Sequence, residues 1–290
     1  MFFIFAEGVI TVNNNIRNAD KSMKHQEENM NDIQKQILDH WNAYIFAQDE
    51  DESEMSEYLM SGLGKAPLRI LEAACGTGNL CIPLAQAGHD VTGIERSEDM
   101  LQQLYKKAED MPNMHIIRTD MLTKPWGSGY DAVILGSNLM VNIVTDRDYK
   151  RAQMNLLERA REALKEGGRL FIDYDCPLEL SKWSPANTEW VCFEGSDDQG
   201  TYGKYIVVNG TADDRTRIVN GSRRWEIKPA NGNPFVYTKN SRKHFPTLEQ
   251  TCAWLYRTGF IVESVNGGYH GEPFDIDHRR AVIWARKVKI

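Results

Sequence analysis

No stretch of this sequence stays apolar for the roughly 20 residues that a bilayer-spanning helix requires. The most apolar segment, the opening MFFIFAEGVI, is broken at Glu7 and runs into polar, asparagine-rich residues. It lacks the positive start and small-residue cleavage site of a secretory signal. Residues 1–27 are expected to form a disordered leader, with Met23 and Met30 as alternative starts, and the protein is expected in the cytoplasm. Cysteine is sparse, and Cys75, Cys81, Cys176, Cys192 and Cys252 make no C-x-x-C pair. That excludes a zinc ribbon or a disulfide framework and predicts reduced thiols. No metal site is expected, because no ligand cluster stands out. Basic charge is in deficit: 34 Lys and Arg against 41 Asp and Glu leave a formal net charge of −7. Neutralising phosphates drives most nucleic-acid affinity, so this balance counts against a nucleic-acid partner. What is present is a chain of 290 residues, 41% hydrophobic, long enough for one α/β domain carrying an insertion.

Five segments follow from the pattern: the leader 1–27, helices over 28–66, a core over 67–176, an insertion over 177–245 and a return to the core over 246–290. From about Asn31, Ile33, Ile37, Trp41, Tyr44 and Ile45 recur at helical spacing, and a second short helix ends near Gly62. Trp41 and Tyr44 serve either helix packing or a lid over a ligand. From Leu68 strands and helices alternate: strand 68–73, helix 79–87, strand 91–95, helix 98–109, strands 115–118 and 130–135, helix 147–165, strand 169–174. Apolar runs separated by amphipathic helices predict a parallel sheet covered on both faces. Gly167-Gly168 is expected to close the long helix. Residues 188–245 lack helical periodicity and predict three antiparallel strands, turning near 212–215 and 230–233. A hairpin turn at Asn220-Gly221 would change that count. After a helix at 247–258, strands 260–265 and 280–287 are joined too closely for a crossover and must be antiparallel.

The most informative stretch is RILEAACGTGNLCIPLAQAGHDVTGIE. A buried strand runs into Ala74-Cys75-Gly76-Thr77-Gly78, which opens a helix, and the next strand ends at Glu95. Glycines allow the backbone to approach a ligand closely, and a carboxylate ending the second strand of such a unit can accept both hydroxyls of a ribose. The dinucleotide fingerprint of a nicotinamide dehydrogenase is incomplete, since Cys81 stands at its third glycine. Glu72, before the loop, can bind a cationic amino-acid moiety. Asp120 follows the third strand, where an adenine amino group would lie.

These residues resemble the class I S-adenosylmethionine-dependent methyltransferases. Glu72 to Gly78 is similar to their (D/E)-x-G-x-G-x-G motif, with Ala74 at the first glycine. Glu95 matches the ribose acid, and Asp120-Met121 the adenine-contacting pair. Tyr130-Asp131 through Gly136-Ser137-Asn138 resembles the fourth-strand motif, LKEGGRLFIDY the fifth, and AVIWARK the terminal strand. The resemblance covers about 68–175 and returns at 247–287. It implies a Rossmann-like α/β fold with an antiparallel terminal strand, N-terminal lid helices and an antiparallel β insertion. It also implies S-adenosyl-L-methionine as cofactor, bound by Glu72, Ala74, Gly76, Gly78, Glu95, Asp120, Met121 and Gly136, with Trp41 and Tyr44 from the lid.

Gly136-Ser137-Asn138-Leu139 departs from the (D/N)-P-P-(Y/F) signature of amino-type DNA enzymes. The arrangement of lid helix and insertion is similar to glycine and amino-sugar N-methyltransferases. A small-molecule acceptor is therefore expected, an amine ahead of a hydroxyl, on a monomer or homodimer. The alternatives are intramolecular cyclisation of the cofactor's aminobutyrate arm and non-catalytic binding. Asn138 and Tyr174 end strands bordering the crevice and are the candidate catalytic residues, although a loop amide and a strand-end aromatic are equally ordinary there. Asp173 and Asp175 can deprotonate an ammonium, although at least one of them is expected to be a surface or structural carboxylate. Arg242 and His244, alternate residues of one strand face, are candidates for holding an acceptor carboxylate or phosphate, or else belong to a solvated charged face.

Overall fold

The computed structural model describes residues 30–48, 53–64, 67–108, 110–143, 148–275 and 279–289. The leader at 1–27 lies outside the described residues. Two compact units emerge, one containing Glu50–Leu178 with Phe245–Ile290, the other pairing the N-terminal helix with Glu179–His244.

The first unit is built on β1 (Arg69–Ala73), β2 (Asp90–Glu95), β3 (Met114–Arg118), β4 (Tyr130–Leu135), β5 (Leu164–Asp175), β10 (Phe260–Asn266) and β11 (Arg280–Lys287). They form one sheet in the order β10-β11-β5-β4-β1-β2-β3. β11 runs antiparallel to both its neighbours, and the other pairings are parallel. The Rossmann-like sheet with an antiparallel terminal strand is thus as expected. β1 and β4 bury nearly every side chain, which explains why they read as continuous apolar runs rather than alternating ones.

Helices of this unit are α2 (Ser53–Leu63), α3 (Cys81–Gln86), α4 (Glu98–Lys107), the short α5 (Leu139–Asn142), α6 (Tyr149–Ala163) and α8 (Leu248–Arg257). The helices α4, α6 and α8 start where a side chain satisfies one of the first free N–H groups. Ser97 accepts from Met100 N–H, Asp148 from Arg151 N–H, and Thr247 forms a reciprocal capping box with Gln250. The glycine pair does not close α6. That helix ends at Ala163 and Leu164 turns directly into β5. Gly167, at φ +77°, lies instead in an irregularity of β5, where the register against β4 jumps from Tyr130–Leu164 to Ala132–Arg169. A glycine that permits a bulge and one that ends a helix leave the same mark in a sequence.

The second unit holds α1 (Asp32–Ala47), α7 (Leu180–Trp183) and an antiparallel sheet of β6 (Glu189–Ser196), β7 (Tyr202–Asp213), β8 (Ile218–Lys228) and β9 (Phe235–His244). Four strands replace the three expected. The overlooked turn is at 197–201, where Asp197 accepts from the N–H groups of Gln199 and Thr201 and Gly200 takes φ +78°. Asn220-Gly221 lies inside β8 and is no hairpin. Rings of Phe193, Tyr205, Trp225 and Tyr237 cross the four strands with successive centroids 6.1, 5.0 and 5.5 Å apart. Ile37, Trp41 and Ile45 of α1 pack on the same cluster. The two N-terminal helices, read together as one segment over 28–66, therefore fall in different units.

Candidate functional site

The parallel strands β1, β2, β4 and β5 end on the same side of the sheet. Chain direction across the sheet reverses between β1 and β4, the kind of switch point where ligands bind in open α/β folds. Two loops meet this point, Ala74–Gly78 after β1 and Gly136–Asn138 after β4.

The first loop is held in left-handed torsions at Ala74 (φ +58°), Gly76 (φ +53°) and Gly78 (φ +84°). For alanine that torsion costs about 1–2 kcal/mol, so Ala74 keeps the backbone path of a glycine at an energetic cost. Cys75 N–H donates to Ile94 O at 3.0 Å and ties the loop to β2. A Cβ on Gly76 would meet no heavy atom within 4 Å, whereas one on Gly78 would sit 2.9 Å from Leu104 Cγ. The loop is therefore closed toward α4 and open at Gly76.

Two carboxylates flank it. Glu95 Oε2 accepts from Gly76 N–H at 3.2 Å, and its Oε1 accepts from the N–H groups of Arg96 and Ser97, both at 2.7 Å. Its carboxylate is thus fixed against the open side of the loop. Glu72 is 5% exposed, and Cys81 Sγ donates to its Oε2 at 2.8 Å. A hydrogen bond with Cys75, burial and the Glu72 charge together raise the Cys81 thiol well above its ordinary value, so it stays protonated as a donor. The cysteine that interrupts the dinucleotide fingerprint thus orients the acid ahead of the loop. Beyond β3, Asp120 Oδ1 accepts from Leu122 N–H at 2.8 Å, and Met121 O accepts from Trp126 Nε1 at 2.8 Å. Both residues are half-buried in a turn at the same sheet end.

After β4, Gly136 is buried beside Leu80 and Met55. Ser137 and Asn138 then take consecutive left-handed torsions, φ +54° and +63°. Asn138 bridges to the end of β5, donating from Nδ2 to Asp175 Oδ2 at 3.0 Å and accepting at Oδ1 from Asp175 N–H at 2.6 Å. Arg280, at the start of β11, pairs with Asp173 Oδ2 and reaches Asp175 Oδ1 at 3.2 Å. Tyr269 OH also donates to Asp173 Oδ2, at 2.8 Å. Burial, reinforced by Asp173, pushes the Asp175 carboxyl above its usual range against the opposing pull of Arg280 and Asn138.

Tyr174 is not part of this cluster. It points to the opposite face of β5, is 0% exposed, and shares a 2.8 Å hydrogen bond with Thr251 of α8. Alternation along the strand sends Asp173 and Asp175 to one side and Tyr174 to the other. Trp41 is likewise a core residue, 0% exposed, donating from Nε1 to Gly195 O at 3.0 Å. A Cβ on Gly203 would fall 2.4 Å from its ring, so that glycine makes room for it. Tyr44 is half-buried on the same helix. On β9, Arg242 is exposed and His244 buried, so the two do not present their polar heads together to solvent. Arg280 and Tyr269 went unrecognised. Only the β5–β11 register, which pairs Arg280 with Asp175, brings the guanidinium to the two acids. Among the described residues, no group of three or more His, Cys, Asp or Glu is placed to hold a metal ion.

Residues 70–168 match a family model described as a methyltransferase domain. A cypemycin N-terminal methyltransferase from Streptomyces is 25% identical over 214 residues, 74% of this chain and 81% of that protein. A glycine/sarcosine N-methyltransferase from Halorhodospira halochloris is 26% identical over 167 residues, 55% of this chain and 60% of that protein. The sugar N-methyltransferase KedS8 from Streptoalloteichus shares the fold, with a TM-score of 0.66 at 15% identity over 86% of this chain and 92% of its own. With the glycine loop, its two acids and the strand order described above, these similarities identify residues 70–168 as a methyltransferase domain of the S-adenosylmethionine-dependent, class I kind.

Proposed function

We propose that this enzyme methylates an amine nitrogen of a small molecule. The observation that carries the reading is the cluster at the ends of β4 and β5. There, among the described residues, two buried carboxylates, Asp173 and Asp175, share the guanidinium of Arg280. The surplus negative charge favours a cationic group nearby and provides an acceptor for its proton. The relatives support the same reading: the glycine/sarcosine relative and KedS8, which shares the fold, carry N-methyltransferase in their names, and the cypemycin relative is named an N-terminal methyltransferase.

The residues present fit S-adenosylmethionine, because the open side of Gly76 adjoins Glu95 and the buried Glu72 lies at the base of the same loop. In this reading Glu72 takes the ammonium of the amino-acid arm and Glu95 the ribose hydroxyls. The Asp120–Met121 turn borders the adenine, and Gly136 lets the second loop lie close. When bound, the cofactor supplies a methyl group already activated by its sulfonium. The protein's part is to align the nucleophile and keep it unprotonated. Asn138 holds Asp175 through two hydrogen bonds, and the raised affinity of that carboxyl for a proton suits it to take one from an ammonium.

The test is a panel of matched amines and alcohols incubated with methyl-labelled cofactor. Label entering amines but not their alcohol counterparts is expected. Transfer to alcohols alone would overturn the amine assignment while leaving the cofactor assignment in place.

A further inference from the structure

Within the first unit, a cavity of about 300 Å³ opens between α2 and the segment joining β10 to β11. Its walls include Glu54, Glu57, Tyr58, Ser61, Tyr269 and His270, with neither lysine nor arginine among the described lining residues. Its size is at the lower end for small-molecule sites. The two tyrosine rings lie 6.1 Å apart at 54°. Each is fixed by its hydroxyl: Tyr58 donates to Asn266 Oδ1 at 2.8 Å, and Tyr269 to Asp173 Oδ2 at 2.8 Å. Rings held in this way offer π faces at little entropic cost.

A second observation concerns the charge behind the wall. Asp173 is 0% exposed, and its Oδ1 has no hydrogen-bond partner among the described residues. Arg280 divides its guanidinium between Asp173 and Asp175, so the acids behind Tyr269 are incompletely neutralised. In front of Tyr269, Glu54 and Glu57 add two more carboxylates, with His270 Nε2 3.9 Å from Glu54 Oε1. Carboxylates around fixed aromatic rings form a surface that recognises organic ammonium ions, which here would share the Tyr269 ring with Arg280, whose guanidinium carbon lies 5.7 Å from its centroid.

We propose that this cavity binds small organic ammonium ions and selects the acceptor in that cationic form. This rests on the amine reading above, and it adds a place and a charge state. Glu54 and Glu57 supply the attraction, while Tyr58 and Tyr269 supply the ring faces. The buried Asp173–Arg280–Asp175 cluster connects that wall to the strand ends.

Choline and its neutral isostere 3,3-dimethylbutan-1-ol probe the site directly on the full-length protein, by calorimetry or ligand-observed NMR. Choline should bind at least ten times more tightly than the alcohol. In a Glu54→Gln/Glu57→Gln variant its Kd should rise at least tenfold while cofactor affinity is kept. Should that variant fail to fold, a salt series on the wild type decides: choline affinity falls with added sodium chloride and that of the alcohol does not. Equal binding of the two probes, or choline affinity indifferent to both carboxylates and salt, would overturn the proposal. Choline binding in a protein that methylates no amine would support the cavity and remove the amine reading. Amine methylation with an unaltered KM in the double variant would do the reverse.

Discussion

Replacing Glu95 with glutamine separates the two tasks its carboxylate performs. One is structural, accepting the N–H groups of Arg96 and Ser97 at Oε1 and of Gly76 at Oε2. The other is the proposed acceptance of the ribose hydroxyls. Glutamine keeps one oxygen, which can serve Arg96 and Ser97, but sets an amide donor against the Gly76 N–H. That mismatch at a half-buried loop should cost about 0.5–1.5 kcal/mol of stability. Loss of the charged acceptor should cost binding about 1.5–3 kcal/mol, or roughly 10- to 150-fold in Kd. Glu95→Ala removes both oxygens and should be worse on each count. Calorimetric titration of S-adenosylhomocysteine into wild type and variant, with a thermal melt of each, measures both terms. A Kd within twofold of wild type in a folded variant would refute the assignment of Glu95 to the ribose.

Tyr174→Phe should lower stability by about 0.5–1.5 kcal/mol through loss of the Thr251 hydrogen bond, with kcat and KM unchanged; a tenfold drop in kcat in a folded variant would return the phenol to the reaction. Ala74→Gly relieves a left-handed alanine but adds unfolded-chain entropy, so urea denaturation should show a net effect between zero and a gain of about 1 kcal/mol. A clear loss would show that the methyl group is needed. Burial pushes the Cys192 thiol up to about 11, so its alkylation at pH 8 should be roughly 100-fold slower than that of a free thiol and accelerate as pH approaches that value. Because folding raises this pKa, the group's contribution to stability falls as pH climbs from 9.0 toward that value. Peptide-resolved mass spectrometry that finds fast labelling at pH 8 would contradict the raised pKa of this half-buried thiol.

The main sheet was legible because its signals are local. Buried parallel strands leave apolar runs, and a glycine loop between strand and helix leaves a spaced motif with an acid one strand later. Tyr130–Leu135 and Arg280–Lys287 coincide with the expected strands to the residue. The insertion was harder, because the turn at Asp197 works through side-chain acceptance of backbone N–H groups and contains no Asn-Gly or Pro-Gly pair. The site residues divide in the same way. Glu72, Glu95 and Gly76 sit around one local loop and were found together. The acidic cluster depends on which face of β5 each residue takes and on a register with β11 more than 100 residues away, with |i−j| of 107 between Asp173 and Arg280. A strand-end tyrosine and an alternate aspartate look alike in sequence until that face is known. Trp41 shows the same ambiguity on a helix, where an aromatic stripe serves a core or a lid equally well.

The most direct test of the central claim is the fate of the cofactor. The purified protein is given S-adenosylmethionine and a pool of small amines, and the adenosine-containing products are identified by mass spectrometry. S-adenosylhomocysteine is expected, formed in step with an acceptor heavier by one or more methyl groups. Accumulation of methylthioadenosine without a methylated product, or the absence of measurable cofactor binding, would contradict that claim.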